Sequence, residues 1–453
     1  MAHYALVGPD DGGHLLSMGS LGKELVERGH RVTVIAREKA ASLAEQFDLE
    51  FHPWNADDID WPSDTLNWMA FGLVGFGGTI DGRCWMRWQN EAILRLLPRL
   101  LQELAVDGVL FDHVLPAGGT AAERAAVPFV SVCTALPWNE ESSVPPSFTS
   151  WPYADDPWSV RRNRWGYAGW RWYMRPILNR INFYRRRWNL PLLSHIDQAL
   201  SPLAQISQLC VDYDYPRREL SDVFHYVGSL TANREIKAEP AFPWERLDGR
   251  PLVFASLGTV QERANLPVFQ KILSGCADLD VQLVLALGQT DEQEDSVREK
   301  LGELPNNAIV VDFAPQLTLL NKASLLITHA GVNTVLEAAC RGLPILALPR
   351  SCDQFGMGTR IQRAGVGLVA SFRRSTSDQI HSLVQRILAE ESFRYQAGAM
   401  QEAMIAAGGV RRAADIAEEA LLTRQPVLRN IQRHSIQGMH LRTVTALTDS
   451  IRR

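Results

Sequence analysis

Short runs of apolar residues alternate along this chain with longer stretches in which apolar positions recur every three or four residues. The runs at 3–8, 31–36, 108–112 and 128–133 predict strands, and the periodic stretches at about 14–28 and 85–104 predict helices between them. The first helix carries its own stop signal in Arg28-Gly29, since glycine takes the left-handed conformation that follows a last turn. Near 228–250 the pattern lapses into "GSLTANREIKAEPAFPWERLDGR", polar and proline-bearing, which reads as a linker. Alternation restarts at "PLVFASLGT" (251–259), with further strands near 281–286, 308–312, 324–328 and 344–348. The expected architecture is α/β: two doubly wound units with mostly parallel sheets, 1–230 and 251–425, joined by 231–250. Residues 426–453 form a tail expected to pack back on the first unit. Ligands of such sheets bind beyond the carboxyl ends of the strands, which places a site in the cleft between facing units.

Composition narrows the function classes. Apolar (46%) and charged (21%) contents are those of an ordinary globular protein, and a net charge of −5 without a basic tail argues against a nucleic-acid partner. Six scattered cysteines without a C-x-x-C pair fit reduced thiols rather than a disulfide framework or a zinc site. The chain opens almost at once on a strand, "HYALVG", and nowhere do eighteen apolar residues run together. A cytoplasmic protein, at most peripheral to a membrane, is expected. One segment stands out: residues 158–188 hold five of the thirteen tryptophans, nine arginines and no acidic residue. Such a mixture suits a helix with one apolar side and one wet or anionic side, or equally one that packs its aromatics on its own domain. "DYD" (Asp212 to Asp214) has metal-ligand spacing but reads as a surface turn before Pro216, and "DDID" (57–60) as a solvated loop. No metal site is expected, and no G-x-S-x-G, H-E-x-x-H or Walker loop is present.

The most informative stretch runs from Phe313 to Gln354, "FAPQLTLLNKASLLITHAGVNTVLEAACRGLPILALPRSCDQ". A strand ("SLLIT") leads into His329 and Gly331, and then into a helix through Asn333, Thr334 and Glu337. Gly331 permits a close approach of ligand to backbone, and the new helix offers free N–H groups and a positive dipole end that suit a diphosphate. Asn333 and Thr334 add side-chain donors, and His329 can donate to an anionic oxygen. Glu337, one turn beyond Asn333, can accept both hydroxyls of a ribose. Phe313 can lie flat against a base, and Asp353-Gln354, following the next strand, can bind sugar hydroxyls.

This stretch resembles the nucleotide-sugar signature of the UDP-glycosyltransferase family, whose fold is the two-domain GT-B arrangement. The spacing from His329 through Gly331, Asn333, Glu337, Gly342, Pro344, Pro349, Asp353 and Gln354 matches the plant version, with Phe313 in place of the usual base-stacking tryptophan. The resemblance implies that Ala314, Gln316 and Val332 also line the donor site, and that "SLGT" supplies Ser256 and Thr259 on the phosphate side. It also gives a role to "GGH" (12–14), where a strand meets a helix without a G-x-G-x-x-G phosphate loop. In the family a Gly-His pair after the first strand carries the general base, and Gly13-His14 matches it. An Asp after a later strand orients that histidine, and Asp112 in "GVLFDHVLPAG" holds such a position. Taken alone, His14 and Asp112 read as helix-capping residues. An acceptor hydroxyl must lose its proton as it attacks the anomeric carbon, and a neutral imidazole suits that task near pH 7.

A further resemblance, to the bacterial zeaxanthin glucosyltransferases, covers nearly the whole chain through "LAVDGVLFDHVLPAG", "PFVSVCTALPWNE", "SPLAQISQL", "DYPR", "FASLGT" and "VVDFAPQ". It thins in 55–85 and 140–190, where acceptor recognition is expected. What it implies is an inverting, metal-independent enzyme without a cofactor, with UDP-glucose or a related UDP-sugar as donor substrate. The expected acceptor is a hydroxylated carotenoid, or alternatively a phenol, polyketide or other small lipophile, with 158–188 touching a membrane. An NAD-dependent reductase would share the architecture but needs the glycine fingerprint, and a non-catalytic carotenoid binder would not need His14 and Asp112.

Overall fold

A computed structural model describes residues 1–9, 12–54, 80–235, 239–258, 265–288 and 298–429. Thr259, the "DDID" loop, most of the 55–85 stretch and the tail from 430 lie outside the described residues. The strands of the first sheet are β1 (His3–Val7), β2 (Arg31–Ala36), β3 (Glu50–Pro53), β4 (Gly108–Asp112), β5 (Phe129–Cys133), β6 (Gln205–Ser207) and β7 (Phe224–Tyr226). They lie in the order β3-β2-β1-β4-β5-β6-β7, all parallel. The second sheet contains β8 (Leu252–Ser256), β9 (Gln282–Ala286), β10 (Ala308–Val311), β11 (Leu325–Thr328), β12 (Ile345–Ala347) and β13 (Gly367–Val369), in the order β10-β9-β8-β11-β12-β13, again parallel. Each sheet therefore reverses its winding once, between β1 and β4 (Val7 opposite Phe111) and between β8 and β11 (Ser256 opposite Thr328). A crevice opens beyond the strands at each reversal.

Helices cover both faces of both sheets, which is why the central strands are continuous apolar runs. In the first unit these are α1 (Gly12–Glu27), α2 (Ala41–Gln46), α3 (Ile80–Glu103), α4 (Ala117–Ala125) and α5 (Pro157–Arg187). The second contributes α6 (Leu266–Cys276), α7 (Gln316–Leu320), α8 (Val332–Ala339), α9 (Gln354–Arg363), α10 (Ser377–Ala389) and α11 (Glu391–Ala406), followed by α12 (Gly409–Thr423). Alternate residues of one strand serve opposite faces: Ala5, Val109 and Phe111 meet α3 to α5, while Leu6 and Leu110 meet α1. The sequence reading ended the second unit at 425, but α12 buries Ile416, Ala417 and Leu421 with Leu6, Leu21 and Leu110 of the first. Burying Ile416 and Leu421 contributes on the order of 3–6 kcal/mol to the first unit. By packing, the second unit ends before Gly409.

Helix α5 corresponds to the tryptophan- and arginine-rich segment. Asp156 caps it, accepting hydrogen bonds from the amides of Trp158 (2.9 Å) and Ser159 (3.1 Å), and Pro157 occupies the first turn. Met174, Ile177, Ile181 and Tyr184 recur at helical spacing and are buried. Trp158, Trp165 and Trp172 recur every seven residues on the other side and are 70%, 70% and 65% exposed. Arg180 pairs with Glu91 and Arg185 with Glu123, so part of the positive charge is spent inside the unit.

The two units meet along a buried polar seam. "DYD" lies here, and Asp214 is not on a surface turn: it is fully buried, accepting from Arg360 Nη2 (2.6 Å) of α9, Arg217 Nε (2.9 Å) and Tyr226 Oη (2.7 Å). The two guanidiniums hold this carboxyl below the ordinary carboxylate range although its burial pushes the other way. A Cβ at Gly356 of α9 would stand 2.0 Å from the Ser147 carbonyl oxygen, so only glycine lets the units close this far.

Candidate active site

The catalytic candidates sit at the reversal point of the first sheet. His14 lies in the first turn of α1 and Asp112 ends β4, so adjacent strands deliver both side chains to one crevice. His14 Nδ1 is 2.7 Å from Asp112 Oδ2 and 2.7 Å from Thr134 Oγ1, and the Thr134 hydroxyl donates to Asp112 Oδ2 at 2.5 Å. Asp112 is completely buried, while a quarter of the His14 side chain is open to solvent. Burial favours the neutral acid, but the charge and hydrogen bond of His14, with His113 Nδ1 close by at 3.2 Å, overcome it and hold Asp112 ionised, well below the ordinary carboxylate range. A carboxylate on Nδ1 selects the tautomer that leaves the lone pair on Nε2, the arrangement a general base requires. Thr134, which follows β5 directly, was not singled out in the sequence. Its signal was position alone, at the carboxyl end of a central parallel strand.

The nucleotide-side candidates gather at the reversal point of the second sheet. Ser256 ends β8, His329 follows β11, and Gly331 caps α8 without any side-chain hydrogen bond to the helix amides. Those amides thus remain available to an anion. A Cβ on Gly331 would lie 2.7 Å from His329 Nε2, and one on Gly258 2.8 Å from its Cε1, so both glycines make room for the imidazole. Burial, reinforced by Arg350 and opposed by a backbone hydrogen bond to Ser256, pushes His329 down to about 4, so near neutral pH it donates an N–H and not a charge. Val332 is buried in the first turn of α8. Phe313 is 42% exposed, available to a planar ring, with Ala314 half-buried beside it.

Several of these residues already have partners. Glu337 is fully buried: Thr231 Oγ1 donates to its Oε1 (2.7 Å), Gln316 Nε2 to its Oε2 (2.6 Å), and Arg234 also pairs with Oε1. Gln316 also lies 3.5 Å from the Thr334 hydroxyl. Asp353 Oδ2 accepts from the Leu136 amide of the first unit (3.2 Å), and Gln354 Oε1 accepts from the amides of Arg350 (2.9 Å) and Ser351 (3.0 Å). Asn333 reaches across the cleft, its Nδ2 donating to the Gly13 carbonyl at 2.7 Å and its Oδ1 accepting from Ser17 at 3.0 Å and Gln208 at 2.8 Å. The two reversal points therefore face each other, with the backbone of Gly13, the residue before His14, bound to the start of α8. Arg234 and Gln208 belong to this site and were not read as part of it, because nothing local marks a side chain that acts across a cleft.

From the His14–Asp112 pair an aromatic row leads outward. His113 lies tilted against Trp138 (5.1 Å between centroids, 59° between planes), Trp138 meets Trp170 of α5 edge-on (5.1 Å), and Trp170 stacks with Phe148 (5.1 Å) and Tyr173 (5.5 Å). This row supplies an apolar wall beside a polar reaction centre. Among the described residues, no helix is long and apolar enough to cross a membrane.

Comparison with known proteins agrees with this geometry. Residues 270–419 match the family model of the erythromycin biosynthesis protein CIII-like C-terminal domain. The chain is 35% identical over 437 residues to the zeaxanthin glucosyltransferase of Pantoea ananas, covering 94% of this chain and 98% of that one. It is 33% identical over 426 residues to the zeaxanthin glucosyltransferase of Pseudescherichia vulneris, covering 93% and 98%. Among solved structures, the glycotransferase of kitacinnamycin superimposes with a TM-score of 0.71 at 20% identity (92% and 98% covered), and a calicheamicin glycosyltransferase with 0.65 at 21% (94% and 99%). Two facing Rossmann-like units, and relatives of this identity along nearly the full length, place the chain in the GT-B UDP-glycosyltransferase family as an enzyme of that family.

Proposed function

We propose that this enzyme is an inverting, metal-independent glycosyltransferase that moves glucose from UDP-glucose to a hydroxyl of a carotenoid such as zeaxanthin. The observation that carries the mechanism is the buried Asp112 bound to His14 Nδ1 at 2.7 Å, directly across the cleft from the first turn of α8. Nε2 of His14 takes the acceptor proton as the acceptor oxygen attacks the anomeric carbon from the face opposite the nucleotide. The bond from that carbon to the β-phosphate oxygen breaks, its electrons leave with UDP, and an α-linked donor becomes a β-glycoside. Asp112 stabilises the imidazolium. The amides at the start of α8, with the neutral N–H of His329, receive the charge that develops on the leaving diphosphate. The names of the two zeaxanthin glucosyltransferase relatives support both the sugar and the acceptor.

A carotenoid is almost insoluble in water, so its enzyme must meet it at a membrane or a carrier. The outward stripe of Trp158, Trp165 and Trp172, among arginines on a helix whose inner face continues the aromatic row, suits peripheral contact with an anionic membrane. The alternative acceptor, a phenol, polyketide or other small lipophile, is kept as a second reading, since the same fold serves the kitacinnamycin and calicheamicin glycosyltransferases. Incubation with UDP-glucose and a panel of carotenoids, phenols and polyketide aglycones, read by mass spectrometry, decides between them. For the mechanism, His14→Ala is expected to lose roughly 10²–10⁴ in turnover while UDP-glucose affinity stays unchanged, and Asp112→Asn to fall in the same way. A His14→Ala enzyme with near-normal turnover removes the general-base assignment. Turnover is expected to survive EDTA; activity that returns only with Mn²⁺ removes metal independence.

A further inference from the structure

The segment "SPLAQISQL" (201–209) carries, one residue before its end, a side chain that touches both halves of the site. Gln208 directly follows β6, as Thr134 follows β5, and is fully buried. Its Nε2 donates to the Thr134 carbonyl and, at 2.8 Å, to Asn333 Oδ1 in the first turn of α8. Its Oε1 lies 3.4 Å from the hydroxyl of Ser17, which is itself fully buried one turn beyond His14 on α1 and donates to Asn333 at 3.0 Å. Asn333 completes the ring by donating to the carbonyl of Gly13, the residue before His14. The hydroxyl of Thr134, at the other end of this ring, is shared between His14 and Asp112. One buried amide thus stands between the backbone that holds the catalytic pair and the helix that faces the nucleotide. Ser201, at the other end of the segment, fastens it to β5 by donating to the Phe129 carbonyl at 2.6 Å.

We propose that Gln208 is a positioning residue for the transfer. It holds Thr134, and through Thr134 the His14–Asp112 pair, in register with the amino end of α8, so that the base follows the donor diphosphate as the helix adjusts to it. The inference rests on the base assignment proposed above. Its physical basis is that both of Gln208's acceptors need a donor: the Thr134 carbonyl and the Asn333 carbonyl oxygen are drawn together only by an N–H between them. A group of the same size without that N–H would fill the space but take this donor from the Thr134 carbonyl and leave Asn333 Oδ1 to Ser17 alone, so the direct link between the two halves would be lost and they would drift apart by a fraction of an ångström. Displacements of about 1 Å from the productive geometry cost up to 10²-fold in rate.

The test uses the full chain with UDP-glucose and the acceptor found by product analysis. Gln208→Met keeps the volume and removes the amide. Its turnover at saturating substrates is expected to fall roughly 10- to 100-fold, with the KM for UDP-glucose and the affinity for UDP within about threefold. With Thr134 loosened, Asp112 supports the imidazolium less, so the acid limb of kcat/KM is expected to move to lower pH. Gln208→Glu, whose carboxylate would oppose both oxygens, is expected to be worse than the Met variant. Gln208→Met combined with Asn333→Ala is expected to lose no more than the worse single variant, since both cut one connection. Turnover within twofold of wild type overturns the proposal. So does a raised KM with intact kcat, an unmoved acid limb, equal Met and Glu variants, or multiplying losses in the double variant. His14→Ala is measured in parallel. If it is inactive while Gln208→Met is normal, this inference fails alone; if it retains turnover, the base assignment fails first.

Discussion

Asp214→Asn exchanges one oxygen for an amide nitrogen at the seam between the two units. In the native protein Oδ1 accepts from Arg360 Nη2 (2.6 Å), Arg360 Nε (3.0 Å) and the Tyr215 amide (2.8 Å), while Oδ2 accepts from Arg217 Nε (2.9 Å) and Tyr226 Oη (2.7 Å). Asparagine can rebuild the first set. On the other side its NH₂ would face two donors, and the Arg360 guanidinium, fully buried, would keep its charge without a counter-charge. Removing one member of such a buried cluster costs about 3–5 kcal/mol, which for a chain of 453 residues lowers the midpoint of thermal unfolding by about 3–5 °C. Acid adds a second signature. The Asp214 carboxyl is held below its unfolded value near 4, so its contribution is complete above that pH and fades as the pH falls below it. Urea titrations from pH 7 down to pH 3 are therefore expected to show a shallower acid loss for the Asn variant. Replacing Arg360 by Met in the same chain is expected to recover part of the stability, since it removes the orphaned charge. A loss under about 1 kcal/mol at pH 7 would contradict the reasoning, because it would mean the pair was not desolvated.

Two further outcomes are expected. Glu337→Gln should weaken UDP and UDP-glucose equally by roughly 10- to 100-fold in calorimetry, the worth of hydrogen bonds to a charged group. An effect on UDP-glucose alone would place the carboxylate at the sugar instead of the ribose. Trp165→Ser and Trp172→Ser, at exposed positions where folding is spared, should reduce co-sedimentation with anionic vesicles and activity on vesicle-borne carotenoid more than activity on a soluble acceptor. Native binding should fall with added salt. Equal loss of both activities would make this face ordinary surface.

Much of this molecule is legible in its sequence because parallel sheets covered on both faces demand unbroken apolar strands. "HYALV" and "LLIT" announce themselves for that reason. Strands β3, β6, β7 and β13 span three or four residues outside any longer apolar run, and the pattern does not mark them, whereas the equally short β12 is set in "LPILAL". Helix α12 is periodic enough to be seen, yet nothing in chain order says that it packs on the first sheet. The site divides in the same way. Residues that begin a helix after a strand, His14 and Asn333, are marked by that junction, whereas Thr134, Gln208 and Arg234 act only through partners supplied by folding. Asn333 was read as a phosphate donor, and in this structure its amide spans the cleft. Glu337, expected to face a ribose, lies buried against Arg234.

The return of α12 to the first unit means that the chain passes between the units twice, once after β7 and once between α11 and α12. The two passages touch: the Gly409 amide donates to the Val227 carbonyl at 2.5 Å, and a Cβ on Gly228 would stand 2.7 Å from the Met404 carbonyl oxygen. Gly228 and Gly409 both take positive φ there, so each strand of this double crossing can turn sharply in place. Two tethers fastened side by side behave as a door hinge does. Sliding one unit along the other would stretch both tethers, whereas swinging them apart bends each by a few degrees. The paired crossing therefore leaves a swing about one axis as the softest relative motion of the two units, with sliding opposed by both tethers at once.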